Sequence, residues 1–227
     1  MLFMTQAAAT KTRRTAPKEV RRQQLIDATI ETIAETGISG TTMAAVTGRA
    51  GLSMGIVSLH FESKENLLKS TLRHLAVELR DKWREVEQKA DLTPAERLWG
   101  IVEANFDPDI FTHAKTRVWF AFFGEAAYRA YYREMVEEFD TERGLTVERL
   151  YLDLVARRGT PPSAKDAEAF SQGLEAMADG MWLSMMLYPE WLSIAEAKQR
   201  LWELIASHFP EHFPRDARAS MSSIEKP

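Results

Sequence analysis

Cysteine is missing from all 227 residues, and its absence excludes disulfides, thiolate metal sites and cysteine nucleophiles together. Long hydrophobic runs are missing too. A bilayer crossing needs roughly 20 apolar residues in a row, and none occurs, so no membrane partner is expected. The opening stretch "MLFMTQAAATKTRRTAPKEV" has only a few apolar residues before it turns polar and basic, unlike a secretory signal. The expected location is cytoplasmic. No glycine-rich loop is present to cradle phosphates, no β-like alternation is long enough for a sheet, and no repeat is visible. No cofactor and no metal site are expected.

What is present is 45% hydrophobic and 27% charged residues, enough for one large domain or a small domain joined to a larger one. The net charge is −4, but it is unevenly divided. Residues 1–73 carry ten Lys/Arg against six Asp/Glu, a balance of +4. The remainder carries nineteen against twenty-seven, a balance of −8. A basic amino-terminal third suits a polyanionic partner, and the acidic remainder suits another task.

The apolar spacing is helical throughout. Residues 1–16 lack a periodic pattern and read as a flexible basic arm, with Lys11, Arg13 and Arg14 able to follow a minor groove. Behind Pro17, the positions Leu25, Ile26, Thr29, Ile30 and Ile33 make one buried stripe that Gly37 ends. Thr41 and Thr42 can cap a short second helix, "MAAVTGRA", whose Ala44, Ala45 and Ala50 allow close helix contact. Gly51 stops that helix, and Leu52 pins the turn.

Gly51-Leu52-Ser53-Met54-Gly55 also spells the G-x-S-x-G of a hydrolase nucleophile elbow. That elbow needs a buried strand running into a helix, whereas the residues before Ser53 are alanine-rich with helical spacing. Ser53 instead stands where an N-cap belongs, its hydroxyl able to accept a backbone N–H. Two short helices joined by a tight glycine turn form a helix-turn-helix, which lays its second helix in the DNA major groove. A serine hydrolase through Ser53 remains the competing enzyme reading.

Further helices are expected from Ser63 to about Ala90, from Thr93-Pro94-Ala95-Glu96 to the break at Asp107-Pro108, and over 115–128, 130–158, 163–187 and 194–208. His208, Glu211 and His212 match the letters H-x-x-E-H of a zinc peptidase, but Pro210 between the histidines disfavours a shared helical turn. A fraying end is expected there.

The stretch "TTMAAVTGRAGLSMGIVSLHFESKENLL" resembles the DNA-binding segment of TetR-type repressors, most specifically in Gly51, in Leu59-His60-Phe61 and in Lys64-Glu65 leading into Leu67-Leu68. The segments "RRQQLIDATIETI", "NFDPDIF", "WFAFF" and "MADGMWLSMML" resemble BetI-type repressors, which respond to choline and control glycine betaine synthesis. One departure is Leu59-His60-Phe61, where BetI-type sequences tend to have His-Tyr-Phe.

The resemblance implies an all-α, non-enzymatic, homodimeric repressor. It has a three-helix DNA-binding domain over 17–68, a larger helical ligand-binding and dimerisation domain over 69–210, and a flexible tail over 211–227. Its partners would be a palindromic double-stranded DNA operator and a small effector, choline or a related quaternary ammonium. Another cationic or hydrophobic ligand, as in an efflux or catabolic regulator, is the alternative.

Helix geometry assigns the reading surface. Ser53 opens the recognition helix, whose free backbone N–H groups suit phosphate. Met54 and Gly55 occupy its first turn. Met54 and Leu59 can touch thymine methyls, and Ser58 can hydrogen-bond a base. Thr42, His60 and Lys64 suit the phosphate backbone, as do Arg21 and Arg22, and Arg49 suits either role. Phe61 is expected in the core. For the effector, the pattern of aromatics among acids selects Phe106, Asp107, Trp119, Phe123, Asp179 and Trp182, because a quaternary ammonium is attracted by ring faces and a carboxylate. The dimer interface is expected between 130–158 and 163–187, through Val136, Val147, Leu150 and Leu154 on one helix and Gly173, Ala176, Gly180 and Leu183 on the other.

Overall fold

The computed structural model describes residues 17–125, 128–159, 161 and 163–214. The arm with Lys11, Arg13 and Arg14 lies outside the described residues, as does the chain beyond 214. All regular structure among the described residues is helical.

Helix α1 (Lys18–Gly40) starts behind Pro17 and is interrupted at Gly37, whose φ of 70° takes it out of the helix. The carbonyls freed there find donors: Thr41 Oγ1 reaches Gly37 O at 2.8 Å, and Lys64 Nζ reaches Ile38 O at 3.2 Å. Helix α2 (Met43–Ala50) is capped by the Thr42 hydroxyl, which accepts from Ala45 N, an arrangement contributing about 1 kcal/mol.

Gly51 then adopts φ 63°, ψ 33°, and the Leu52 N–H reaches back to Thr47 O at 2.9 Å. This left-handed closure reverses the chain into α3 (Met54–Phe61). Val46 and Thr47 are the buried residues of α2. Ala44 and Ala45, expected at helix contacts, are exposed, because the β-branched pair one step further round faces α1.

Helix α4 (Lys64–Glu87) starts on the Ser63 hydroxyl and runs out of the three-helix unit. Helices α5 (Pro94–Ala104) and α9 (Ile194–His208) each start with a reciprocal capping box, Thr93 with Glu96 and Ser193 with Glu196. Between them lie α6 (His113–Gly124), α7 (Arg129–Ala156) and α8 (Ala164–Leu187).

Two apolar cores result. The first joins Leu25, Ile26, Val57, Phe61, Leu68 and Leu72 of the amino-terminal unit to Val118 and Phe122 of α6 and to Met135 and Phe139 of α7. The second lies among α5, α7, α8 and α9. Trp119 of α6 packs against both. The helix-turn-helix is therefore not an independent bead, since part of its own core comes from the larger domain.

Two expectations are corrected. Val147, Leu150 and Leu154 are at most 5% exposed within the protomer, because α7 spends that face on its own core. They are not available to a second copy, and the Val136 side chain lies outside the described residues. The end expected to fray is packed at its start: Arg158 clamps Glu211 and the His208 carbonyl, and Phe209 and Phe213 are buried. No cluster of metal-ligating side chains occurs among the described residues, and no helix there is long and apolar enough to cross a membrane.

Candidate DNA-reading face and effector compartment

Met54, Gly55, Ser58 and Leu59 lie on one side of α3, and all four are exposed. Leu59 is 70% exposed and Met54 50%. Such apolar residues beside a glycine and a serine on a short, open helix make a face shaped for contact rather than for solvent. The Thr47 hydroxyl steadies Met54 through its sulfur at 3.4 Å. Phe61 and Val57, on the other side, fix the angle of the helix from the core.

Ser53 is the N-cap residue by backbone geometry, but its hydroxyl accepts no capping bond. The expected side-chain cap is absent: no side chain caps the first N–H groups of α3, and the Ile56 N–H turns back to Ser53 O at 3.0 Å. No histidine or carboxylate hydrogen-bonds Ser53 among the described residues, and a helix, not a strand, precedes it. The elbow resemblance is one of letters only.

The surrounding polar residues differ in how free they are. Thr42 is exposed while its hydroxyl caps α2. Arg49 forms an ion pair with Glu35, which a phosphate would have to replace. Lys64 is tethered to Ile38 O. His60 is half-buried, about 100° from Leu59 and about 120° from Met54 around the helix, and its Nδ1 is buried without a partner.

The expected effector residues separate into three groups. Phe106 and Trp182 are core residues joined through Phe111, at ring separations of 6.1 and 5.4 Å. Asp107 bonds Lys82 at 2.9 Å and the Asp109 N–H at 2.8 Å. Burial raises its pKa, but these two bonds outweigh that and lower it. Its charge is therefore already spent on the protein. Trp119 and Phe123 meet over Tyr132, at 6.5 and 5.9 Å. Asp179 belongs to the third group, between α7 and α8.

That third group contains residues the sequence reading missed. Arg143 Nη2 lies 2.6 Å from Glu175 Oε1 and 3.3 Å from Asp140 Oδ1, and its Nη1 faces Asn105 Oδ1 at 3.5 Å. Asp179 lines the same cleft as Arg143 and Glu175. Two carboxylates thus pair with one guanidinium, and a third, Asp179, acts on it at longer range. Burial raises the Asp140 carboxyl to about 6 against the pull of Arg143, with Glu175 and Asp179 raising it further. Desolvation and Glu175 raise the Asp179 carboxyl against the pull of Arg143, although the residue keeps an exposed edge. Burial also raises the Tyr132 phenol, and the charges of Asp140, Asp179 and Glu175 add to it. The cleft itself, about 30 Å³, carries excess negative charge, and Tyr132, which feels all three acids, meets Trp119 edge-on at 6.5 Å outside its lining. The signal that would have found it is charged pairs at helical spacing: Asp140 with Arg143, and Glu175 with Asp179.

Two short helices set by a left-handed glycine turn, with an open second helix and a larger helical body, define a helix-turn-helix transcriptional regulator. The chain belongs to the TetR family and carries a BetI-type carboxy-terminal domain. Residues 25–71 match the bacterial regulatory proteins of the TetR family, and residues 94–210 match the BetI-type transcriptional repressor carboxy-terminal domain. A relative from Paraburkholderia phymatum, the HTH-type transcriptional regulator BetI, is 39% identical over 73% of this chain and 81% of its own. Its namesake in Burkholderia thailandensis is likewise 39% identical, over 73% and 82%.

Solved structures share the fold. A transcriptional regulator from Pseudomonas aeruginosa PAO1 has a TM-score of 0.74 at 21% identity, covering 93% of this chain and 98% of its own. One from Saccharomonospora viridis in complex with choline has 0.68 at 20%, covering 82% and 96%. The family is one of transcriptional regulators that bind operator DNA and answer small effectors, not of enzymes.

Proposed function

We propose that this chain is a dimeric operator-binding repressor whose effector is choline or a related quaternary ammonium, and that it controls glycine betaine synthesis from choline. The observation that carries the reading is the excess of carboxylates, Asp140, Glu175 and Asp179, around Arg143 beside Tyr132 and Trp119. A cation without hydrogen-bond donors gains from ring faces at about 0.5–2 kcal/mol each and from unneutralised acid charge. The BetI relatives and the choline-bound structural neighbour favour the same ligand class.

Effector and reader share a path in this reading. Trp119 touches both cores, so a ligand that shifts α6 alters the packing beneath α1 and α3. The change in operator affinity can be no larger than the ligand's preference between the two arrangements. DNA contact is assigned to Met54, Gly55, Ser58 and Leu59 for bases, and to Thr42, Arg49, Lys64 and the start of α3 at Ser53 for phosphates. The dimer is assigned to the open side of α8, where Gly173, Ala176, Gly180 and Leu183 are exposed.

Calorimetric titration with choline tests the effector. Binding weakened at least tenfold by Asp179→Asn and by Trp119→Ala supports the reading. A second reading, an efflux or catabolic regulator with an apolar effector, is favoured by a cavity of about 280 Å³ lined by Phe111, Met185, Leu192 and Ile194. Indifference to choline, with binding of a hydrophobic cation such as tetraphenylphosphonium, would favour it.

A further inference from the structure

A chain of polar contacts crosses from the reader into the larger domain. In α1, Gln23 Nε2 lies 2.7 Å from Asp27 Oδ1 and 3.1 Å from His74 Nε2 of α4. His74 Nε2 also lies 3.5 Å from Glu78 Oε1. The other Glu78 oxygen accepts from Lys115 Nζ of α6 at 2.8 Å, and the same ammonium donates to Asp109 O at 2.6 Å. Lys64 ties α4 to the far end of α1 through Ile38 O, and His74 ties it near the start through Gln23.

These partners fix the protonation state of His74. A carboxylate only accepts, so the Gln23 amide must turn its NH2 group toward Asp27. The second N–H of that group then points at His74 Nε2, which has to accept it. The imidazole is therefore neutral with its proton on Nδ1, and its Nε2 lone pair faces Glu78 with no proton between them. Adding a proton to Nε2 reverses both contacts. The imidazolium can donate to Glu78, but it meets the Gln23 N–H donor to donor. Turning the amide over brings no relief, because its oxygen would then face Asp27. One nitrogen serves either α1 or its own helix, never both.

The surroundings allow this exchange near neutral pH. Imidazole is the side chain that gains or loses its charge between about pH 5 and 8. His74 keeps 22% of its side chain exposed and lines a cavity of about 580 Å³ behind α3, through which protons reach it. Burial raises the Glu78 carboxyl, but His74 and Lys115 hold it below its ordinary value, so it stays charged while His74 titrates. The cations on the same wall are engaged elsewhere: Lys69 with Glu65, Arg73 with Glu138, and Arg22 over the Phe61 ring at 5.2 Å. His60 of α3, Glu62 in the turn behind it and Tyr131 of α7 complete the titratable lining.

We propose that His74 is a proton-operated latch between α1 of the reader and α4. Neutral His74 holds Gln23 and fixes α1 against α4; protonated His74 pairs with Glu78 and releases α1, so the reader is less firmly placed and operator binding weakens. Protons bind the unlatched arrangement in preference to the latched one, and falling pH shifts the population toward it. The latch lies apart from the cleft around Arg143. It rests on operator binding and not on the identity of the effector.

Imidazole 15N spectra of the ligand-free full chain read the tautomer directly, with the His74 signal assigned by its loss in His74→Gln. A neutral His74 protonated at Nδ1 and bare at Nε2, a preference that Gln23→Leu removes, is the expected result. The second readout is binding of a duplex selected from a randomised pool, at about pH 8 and about pH 5.5, across the range where imidazole titrates. His74→Gln keeps an acceptor in reach of Gln23 and cannot gain the charge. Relative to this variant, the natural chain should bind equally at the higher pH and about fivefold more weakly at the lower, the scale of one neutral hydrogen bond. Taking the ratio cancels the other titrating groups, His60 and Asp140 included. Gln23→Leu should bind weakly at both. Thermal melts at each pH identify a variant lost to unfolding, and the tautomer of the natural chain decides the latch without any variant that fails to fold. A neutral His74 protonated at Nε2, or a binding ratio that does not move with pH, would overturn the proposal. If no duplex is bound, the operator reading fails, and a bare Nε2 would still support the Gln23 tie.

Discussion

Arg143 of α7 and Glu175 of α8 meet at 2.6 Å across the helix pair, with side-chain exposures of 13% and 29%. The bond ties together the two longest helices of the larger domain at the point where negative charge accumulates. Arg143→Met should leave Asp140, Glu175 and Asp179 repelling one another without a cation, a change of the kind that costs about 3 kcal/mol or more. In a chain of this size, a melting temperature lower by roughly 6–12 °C is expected. Differential scanning calorimetry of the ligand-free protein measures it, and choline at high concentration should recover part of the loss by supplying the missing charge.

For the proposed cationic effector, Asp140 should make binding depend on pH. With its carboxyl raised to about 6, it is ionised above that pH and protonated below it, while choline keeps its charge throughout. Choline affinity should therefore fall as pH drops through about 6, by up to about tenfold at pH 5 relative to pH 7.5. The stability contribution of the same group has the opposite sense. A carboxyl raised above its unfolded value holds its proton more tightly when folded, so its contribution grows as pH falls from about 6 toward about 4. Asp140→Asn should flatten both dependences, which titrations and melts over this range would record.

Glu62 invites a stabilising substitution. Its strained φ of 63° costs about 1–3 kcal/mol, and glycine would relieve this at an entropic cost of about 0.5–1 kcal/mol. Glu62→Gly should raise the melting temperature by roughly 2–4 °C. An unchanged or lower value would mean that the turn is held without strain.

Within the reader, Ser58 and Lys64 should separate by the kind of binding they support. Ser58→Ala is expected to change base preference at one operator position by about fivefold, the scale of one neutral hydrogen bond. Lys64→Ala should weaken binding to all sequences alike and reduce the salt-dependence slope by about one. It also frees Ile38 O, so a modest fall in melting temperature should accompany it. Selection from a randomised operator pool at two salt concentrations distinguishes the two.

The reader was legible because its signals are local. Thr42, Gly51 and Ser63 each act within a few residues of their own position, and the caps and the left-handed turn formed where the spacing placed them. Ser53 failed as a side-chain cap because backbone geometry alone can start a helix, and its hydroxyl was free to point elsewhere. The candidate effector compartment is less legible because it depends on which faces of α7 and α8 meet. Phe106 and Trp182 looked like ligand rings and are core, while Asp107 was claimed by Lys82, 25 residues away. Tyr132, Asp140, Arg143 and Glu175 look like ordinary surface charge and aromatics until the packing of the two helices gathers them.

The most direct test of the central claim is protection mapping of double-stranded DNA upstream of the regulated genes, with and without choline. Two protected half-sites whose centres are about one helical turn apart, roughly 34–36 Å, are expected, with protection that shifts or weakens when choline is added and that Asp179→Asn makes unresponsive. Failure of the full chain to protect any duplex sequence, or a footprint that choline leaves unchanged at saturation, would contradict the account.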